Sequence, residues 1–139
     1  MFRIANLAVV PAWLLLVAVP RWSGTRYVVH SMILPLMLAG LYTGLLASGI
    51  GDSEGSFSTL DGVARLFSKP GLLLAGWLHY LAFDLFIGAW ETRDAIRCGV
   101  SRWLLVPCQV LTFFAGPIGL LLYLVLRSLR TRTLIVEEA

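Results

Sequence analysis

The sequence GLLLAGWLHYLAFDLFIGAWETRD, residues 71–94, decides the fold of this chain. Most of it is apolar enough to enter a bilayer, which a helix of about 20 apolar residues can cross. Yet His79 and Asp84 lie well inside the stretch, and its end is charged. A carboxylate at mid-membrane depth costs about 2.5 to 3.5 kcal/mol on insertion scales. A carboxylate kept at that cost indicates a functional site.

Helical periodicity sorts the polar groups of this stretch onto two faces. Asp84 and Glu91 are seven residues apart, so they share a face and lie about 10 Å apart along the helix axis. Tyr80 precedes Asp84 by one turn on the same face. His79 points elsewhere, onto a face with three aromatic residues: Phe83, Phe86 and Trp90. We expect neither face of the helix to contact lipid.

The composition excludes an ordinary soluble domain. Of the 139 residues, 58% are hydrophobic and 14% charged, and the mean hydropathy is +0.83. Four apolar runs predict one all-α membrane domain over residues 1–139, a four-helix bundle, because lipid-exposed backbone must satisfy its own hydrogen bonds. The predicted spans are residues 4–20, 28–50, 71–94 and 103–126. Between spans two and three, the capping-box spacing of Ser58 and Asp61 predicts a short interfacial amphipathic helix at 59–68.

The membrane orientation stays open at this stage. Four spans place both termini on the same side of the membrane. The basic residues then divide into Arg3, Arg65, Lys69, Arg127, Arg130 and Arg132 on one side and Arg21, Arg26, Arg93, Arg97 and Arg102 on the other. This division does not decide the positive-inside rule. The arginine-rich, lysine-poor composition indicates a bacterial source, and the bacterial inner membrane is the predicted location. A basic start before an apolar run is also typical of a signal peptide, although Val-Ala-Val-Pro is a poor cleavage site.

The charged link of residues 91–102 is predicted to be a helix end leaving the membrane. Water would screen its pairs, Glu91 with Arg93 and Asp94 with Arg97. Span four carries Gln109 and Thr112, then a Gly-Pro break at residues 116–117 that opens the helix backbone. The tail, residues 127–139, is predicted to be extended.

Two blocks of sequence resemble a known family. They are WLHYLAFDLFIGAW at residues 77–90 and GPIGLLLY at residues 116–123. Together they are similar to the abscisic-acid-deficient-four-like membrane family, whose plant member is needed for neoxanthin synthesis from violaxanthin. The similar region covers roughly residues 57–127. The resemblance implies four spans and carotenoid or isoprenoid chemistry, while a bacterial source makes neoxanthin itself unexpected.

The family reaction, if it applies, is a redox-neutral isomerisation in which an epoxide opens and a polyene carbon loses a proton to give an allene. It needs an acid and a base. Asp84, removed from water, is the predicted acid, and His79 or Glu91 the predicted base. The sequence contains no nucleotide-binding motif, so no cofactor is predicted. The predicted substrate-binding residues are Trp77, Tyr80, Phe83, Phe86, Trp90, Gln109, Thr112 and Phe113.

Several alternatives remain beside this hypothesis. Asp84 can be a packing group that joins helices, and the protein can be a non-enzymatic subunit that binds carotenoid or lipid. A haem held by His30 and His79 is a third option. Cys98 and Cys108 lack metal-site spacing, so no metal is predicted. The expected partners are a carotenoid or other isoprenoid lipid, membrane lipids, and a second copy or a larger membrane complex. No nucleic acid is expected, since the arginines gather at span ends.

Overall fold

Seven helices make up the part of the chain that the structure, a computed structural model, describes: residues 1–31, 33–51 and 54–135. They are α1 (Phe2–Ala18), α2 (Ser23–Val28), α3 (Ile33–Ile50), α4 (Leu60–Ser68), α5 (Pro70–Cys98), α6 (Arg102–Ala115) and α7 (Pro117–Thr131). These ranges contain no β-strand. The predicted all-α fold class is therefore confirmed.

Helix α5 is the longest element, and five of the other described helices pack against it: α1, α3, α4, α6 and α7. It begins at Pro70, whose missing N–H is not needed in the first turn. It ends where Gly99 adopts a left-handed conformation with φ of 67°. Val100 then donates its N–H to the carbonyl of Ala95, as is common after a left-handed glycine. The helix runs past the predicted end at Asp94, because no glycine or proline intervenes before Gly99. Its length of 29 residues corresponds to about 43 Å.

Helix α1 runs parallel to α5. Near the start of both helices, Trp77 Nε1 donates to Asn6 Oδ1 at 2.9 Å. Further along, Trp13 lies against Gly88, whose missing side chain leaves room for the indole ring. At the far end, Arg102 donates to the carbonyl of Ala18 at 2.6 Å and so satisfies a free carbonyl at the end of α1.

Helix α3 runs antiparallel to α5. Gly49, near the end of α3, lies against Leu72 near the start of α5. Tyr42 faces His79 with ring centroids 5.9 Å apart. The interior between α1, α3 and α5 is filled by apolar side chains: Ala5, Val9, Ala12, Trp13, Leu16, Leu38, Leu78, Leu81, Leu85 and Ala89.

Helices α6 and α7 form an antiparallel hairpin that turns at Gly116. Two contacts set this direction: Gly119 lies against Thr112 and Cys108, and Arg130 bonds to Gly99. At the predicted Gly-Pro break, the segment 103–126 reverses direction instead of forming one span, because Gly116 has a positive φ and α7 packs back against α6. Helix α6 has 14 residues and α7 has 15 residues. They are about 21 Å and about 22 Å long, shorter than the roughly 30 Å of bilayer hydrocarbon.

The hairpin places Phe2 and the end of α7 at opposite ends of α5. Phe2 packs on Trp77, near the start of α5, with ring centroids 5.4 Å apart. Arg130, at the end of α7, donates through Nε to the carbonyl of Gly99 at 3.4 Å. The prediction of four spans with both termini on the same side does not fit this placement of α1 and α7. It counted α6 and α7 as one crossing, and the chain instead turns back at Gly116.

Two segments of the described chain are long and apolar enough to cross a bilayer: Ser23–Ile50, which contains α2 and α3, and Pro70–Cys98. Helices α1 and α6 are apolar but shorter. Large apolar side chains are exposed along the outer faces. On α3 only Leu38 is buried, while Leu36 and Met37 are 65% and 61% exposed. Soluble monomers rarely expose apolar surface of this extent.

The predicted helix at 59–68 is confirmed as α4, and only its cap differs. Thr59 rather than Ser58 is the N-cap, since its Oγ1 accepts from the Gly62 N–H at 3.0 Å, a bond typical of threonine at this position. The tail was predicted to be extended from residue 127, but α7 continues to Thr131. The predicted loop and tail also include residues 52–53 and 136–139, which lie outside the described residues, as does residue 32 of predicted span two.

The close contact between α6 and α7 predicts that Gly119→Ala destabilises the protein. A Cβ at Gly119 would overlap the backbone and hydroxyl of Thr112 and the carbonyl of Cys108. Overpacking of this kind costs about 1 to 3 kcal/mol. Gly40→Ala is the matched control, because a Cβ on this helical glycine of α3 meets nothing within 4 Å. Thermal unfolding in detergent measures both, and equal melting temperatures would contradict the hairpin packing.

Candidate functional site

Asp84 meets the tip of the α6–α7 hairpin. It lies at the midpoint of α5, with fourteen helical residues on either side. A Cβ placed on Gly116 would lie 2.8 Å from Asp84 Oδ1, so the turn of the hairpin rests directly on the carboxyl group. Asp84 is half-buried, and its buried Oδ2 atom finds no hydrogen-bond partner among the described residues.

The side chain of Tyr80 connects the carboxyl group of Asp84 to the end of α6. Its hydroxyl donates to the carbonyl of Phe113 at 3.1 Å, one of the carbonyls left free where α6 ends. The same hydroxyl also interacts with the carboxyl group of Asp84, one turn along α5. The arrangement brings a hydroxyl, a carboxyl group and a helix break together at mid-helix depth.

A second polar layer lies about two turns further along α5. Glu91 is completely buried and accepts a hydrogen bond from Thr112 Oγ1 at 2.9 Å, while its Oε2 has no partner among the described residues. Beside it, Gln109 Nε2 donates to Thr92 Oγ1 at 2.7 Å. The structure therefore brings Glu91, Gln109 and Thr112 together on the face that carries Asp84.

His79 lies on a different face of α5 from the two acids. Its ring stacks on Phe83 with centroids 4.4 Å apart, and it lines a groove of about 240 Å³ between α3, α4 and α5. His30 lies far from it, with Nδ1 3.0 Å from Arg93 Nη1. Arg93 follows His79 by almost four helical turns on the same helix, a rise of about 21 Å. The two histidines therefore do not face each other across one haem-sized site.

The predicted substrate-binding aromatics do not form one surface. Trp77 and Tyr80 line an apolar groove of about 610 Å³, whereas Phe83 and Phe86 are exposed on the outer face of α5. Trp90 packs edge-on against Tyr123, with centroids 5.5 Å apart. Phe113 packs edge-on against Trp13 inside the bundle. The full lining of the groove is Phe2, Phe67, Pro70, Leu73, Leu74, Gly76, Trp77 and Tyr80.

Asp94 forms a buried ion cluster, of which the sequence predicted only the contact with Arg97. Its Oδ2 accepts from Tyr123 Oη at 2.6 Å and from Arg127 Nε at 2.8 Å, and its Oδ1 accepts from Arg97 at 2.6 Å. Asp94 is 2% exposed and Arg127 5% exposed. The cluster fastens α7 to the end of α5. Arg127 is far from Asp94 along the chain, so no local signal in the sequence pointed to it.

Two predicted ion pairs of the charged link change in the structure. Asp94 does pair with Arg97, but it is buried rather than surrounded by water. The predicted pair of Glu91 with Arg93 is wrong, because Glu91 turns inward to Thr112 while Arg93 contacts His30. Within the described ranges, both ion pairs involve Asp94, and neither Asp84 nor Glu91 forms one. No three histidine, cysteine or acidic side chains there lie together in a metal-binding arrangement.

The family model described as ABA DEFICIENT 4-like matches residues 1–123. The chain belongs to this family. The match runs from α1 into α7 and includes Asp84, Glu91 and the hairpin tip at Gly116. Arg127 lies beyond it. The family predicted from the two sequence blocks is thereby confirmed.

A curated relative in this family is Protein ABA DEFICIENT 4, chloroplastic, from Arabidopsis thaliana. It is 27% identical over 104 residues, which cover 69% of this chain and 47% of the relative. The chain thus spans about half the length of the curated relative that it matches. No solved structure matches the chain. The bacterial source, the inner-membrane location and the catalytic roles stay predictions.

The buried cluster predicts a large loss of stability for Asp94→Asn. The change leaves Arg127 charged and buried without its anionic partner, and breaking a buried pair in this way costs about 3 to 5 kcal/mol. The matched control is Asp61→Asn, at an exposed position of α4. Thermal unfolding of both variants in the same detergent is the measurement. A melting temperature for Asp94→Asn as high as that of the control would show that the cluster does not hold α7 in place.

Proposed function

We propose that the protein is an integral membrane protein of carotenoid or isoprenoid metabolism. Its reaction is a redox-neutral acid–base isomerisation of a carotenoid epoxide or related polyene, with Asp84 as the acid. The observation that carries this proposal is the unpartnered Oδ2 of Asp84, buried among the described residues at the midpoint of α5 against the hairpin tip. Membership in the ABA DEFICIENT 4-like family supports the class of chemistry.

Membrane insertion is supported by the exposed apolar faces of the helices. Helix α1 has 17 residues and α3 has 18 residues. Such lengths are near the shortest that cross a bilayer, and α5 exceeds them. In this arrangement α1, α3 and α5 cross the membrane, and the α6–α7 hairpin enters and returns on one side. Non-helical backbone at membrane depth is tolerated only where protein covers it. Gly116 is buried against Asp84, which meets that condition.

The groove beside Tyr80 is the proposed binding site for one end of a polyene. Its lining is apolar apart from the hydroxyl of Tyr80 and the indole N–H of Trp77, which is bonded to Asn6. Its volume of about 610 Å³ lies in the range of small-molecule sites. Tyr80 stands between this groove and Asp84. A hydrophobic end group in the groove would therefore bring its oxygen towards Tyr80 and Asp84.

The lack of a cationic partner for Asp84 among the described residues suits an acid role. Burial without an opposite charge raises the free energy of an ionised carboxylate and favours the neutral form, which carries a transferable proton. The neutral carboxyl group donates this proton to the epoxide oxygen as one C–O bond breaks. The polyene carbon next to the opened ring then gives up its proton, and the allene forms. One proton is given and one taken, so no redox cofactor is consumed.

The carboxylate left on Asp84 is the nearest base for the carbon-bound proton. His79 opens into a different groove, on another face of α5. Glu91 shares the face of Asp84 but lies about 10 Å further along the axis, and it is completely buried. Its proposed role is therefore to position the hairpin through Thr112 rather than to touch the substrate. Asp84 ends the cycle protonated, as it began.

A non-enzymatic carotenoid- or lipid-binding subunit is the second candidate, because the groove alone can serve a binder. The variant Asp84→Asn separates the two. It keeps the shape of the side chain but removes the transferable proton, so turnover should fall by about 10²- to 10⁴-fold while folding and pigment binding are retained. Asp61→Asn is the control. Normal turnover by Asp84→Asn would end the acid hypothesis, and no turnover by the unaltered protein, with pigment bound, would favour the binder.

The groove itself is tested by filling it. Leu73 lines the groove and is 57% exposed, so Leu73→Trp places a large ring in the binding space without disturbing the core. We expect loss of bound carotenoid and an unchanged melting temperature. Leu121→Trp, at a 63% exposed leucine of α7 that does not line this groove, is the matched control. Pigment extraction after mild purification measures retention, and equal retention by both variants would place the binding site elsewhere.

A further inference from the structure

The arginines of this chain gather at one end of the helix bundle. Three contacts place them there: Arg102 bonds to the end of α1, Arg93 contacts His30 before α3, and Arg130 bonds to Gly99 after α5. The basic residues at this end are Arg21, Arg26, Arg93, Arg97, Arg102, Arg127, Arg130 and Arg132. The basic residues at the opposite end are Arg3, Arg65 and Lys69. We call the end of the bundle that carries these eight arginines the arginine end.

Among the described residues, no exposed acidic side chain balances the positive charge of the arginine end. Of the described residues at this end, two are acidic, Glu91 and Asp94, and both are buried. Arg127 is buried against Asp94, and the other seven arginines are exposed. At the opposite end, Glu54 and Asp61 are exposed beside the three cations. Among the described residues, the two ends of the bundle therefore differ strongly in exposed charge.

We infer that the arginine end faces the inner compartment, where its exposed arginines bind the headgroups of anionic phospholipids, and that the chain crosses the membrane three times. This inference rests on the proposed membrane insertion but not on the proposed chemistry. Arginines next to span ends are retained on the inner side. Anionic lipids of the inner leaflet attract basic segments close to the surface.

The hairpin is what creates this asymmetry. Four crossings would put Arg127, Arg130 and Arg132 on the side of the N-terminus, giving the nearly even division that leaves orientation open. Because α7 turns back at Gly116, these three arginines join the five on the other side. The division becomes eight against three. A nearly balanced sequence thus acquires a preferred orientation through one turn of the backbone.

The depth of the arginines fits headgroup contact. When Asp84 lies at the bilayer centre, Arg93 lies about 14 Å and Arg97 about 20 Å further along α5, at the rise of an α-helix. The hydrocarbon core ends about 15 Å from the centre, and the headgroup region lies just beyond. Both side chains therefore reach phosphate level while α5 stays straight.

Cysteine labelling tests the orientation. In the full chain carrying Cys98→Ser and Cys108→Ser, single cysteines are introduced by Ser58→Cys, beside α4, or by Thr133→Cys, after α7. Both positions are exposed and lie at opposite ends of the bundle. Intact bacterial cells expressing each variant are treated with a membrane-impermeant maleimide, before and after permeabilisation. We expect Ser58→Cys to be labelled in intact cells and Thr133→Cys only after permeabilisation.

Each other labelling pattern has a distinct meaning. The same accessibility at both positions would overturn the three crossings. The reverse pattern would overturn the inner placement of the arginine end. Recovery of the unaltered protein in the soluble fraction would instead overturn the proposed membrane insertion, and so separates failure of that proposal from failure of this one.

Headgroup binding is tested with lipids of defined charge. The double variant Arg26→Gln, Arg132→Gln removes two exposed arginines of the arginine end, and Arg3→Gln, Arg65→Gln removes two from the opposite end. The melting temperature is measured in detergent with added phosphatidylglycerol or phosphatidylcholine. We expect phosphatidylglycerol to raise it for the unaltered protein and the second variant, and much less for the first. Equal rises in both double variants, or none in the unaltered protein, would overturn headgroup binding.

Discussion

The structure depends on the hydrogen bonds made by the backbone groups that are left free at Gly116, where α6 ends in the middle of the helical bundle. A helix that ends leaves carbonyl groups without partners, and lipid offers none. Here the hydroxyl of Tyr80 donates to the carbonyl of Phe113, and the N–H of Gly116 donates to the carbonyl of Thr112. Only a glycine fits the turn, because its φ is positive and a side chain would strike Asp84, and glycine alone adopts such a φ without strain. Tyr80 of α5 therefore has a structural role at the turn, beside Asp84.

Helices α1, α3, α4 and α5 could be predicted from the sequence, and so could the face of α5 on which Asp84, Glu91 and His79 each lie. The spacing of Asp84 and Glu91 placed both on one face, away from His79, and the structure has them so. The apolar length of each run located α1, α3, α5 and, by its amphipathic pattern, α4. These features depend on residues within a few turns of one another, where periodicity and hydropathy carry the information.

The fold-back of α7 could not be predicted in the same way. The apolar run at 103–126 has the same composition whether it forms one crossing or two short helices. Gly116 and Pro117 signalled the break but not its angle. The angle is set by contacts such as that of Arg127 with Asp94, which are distant along the chain, and hydropathy does not report contacts at that separation. The error over the termini and the missed ion cluster both follow from this one angle.

The two halves of α5 on either side of Asp84 differ in character. From Pro70 to Tyr80 the helix borders an apolar groove. From Gly88 to Asp94 it borders a column of hydrogen-bonded polar side chains. The first half can therefore accept an apolar molecule, whereas the second half is occupied by its contacts with α6 and α7. Asp84 lies at the boundary between a surface suited to an apolar molecule and a surface fixed by hydrogen bonds.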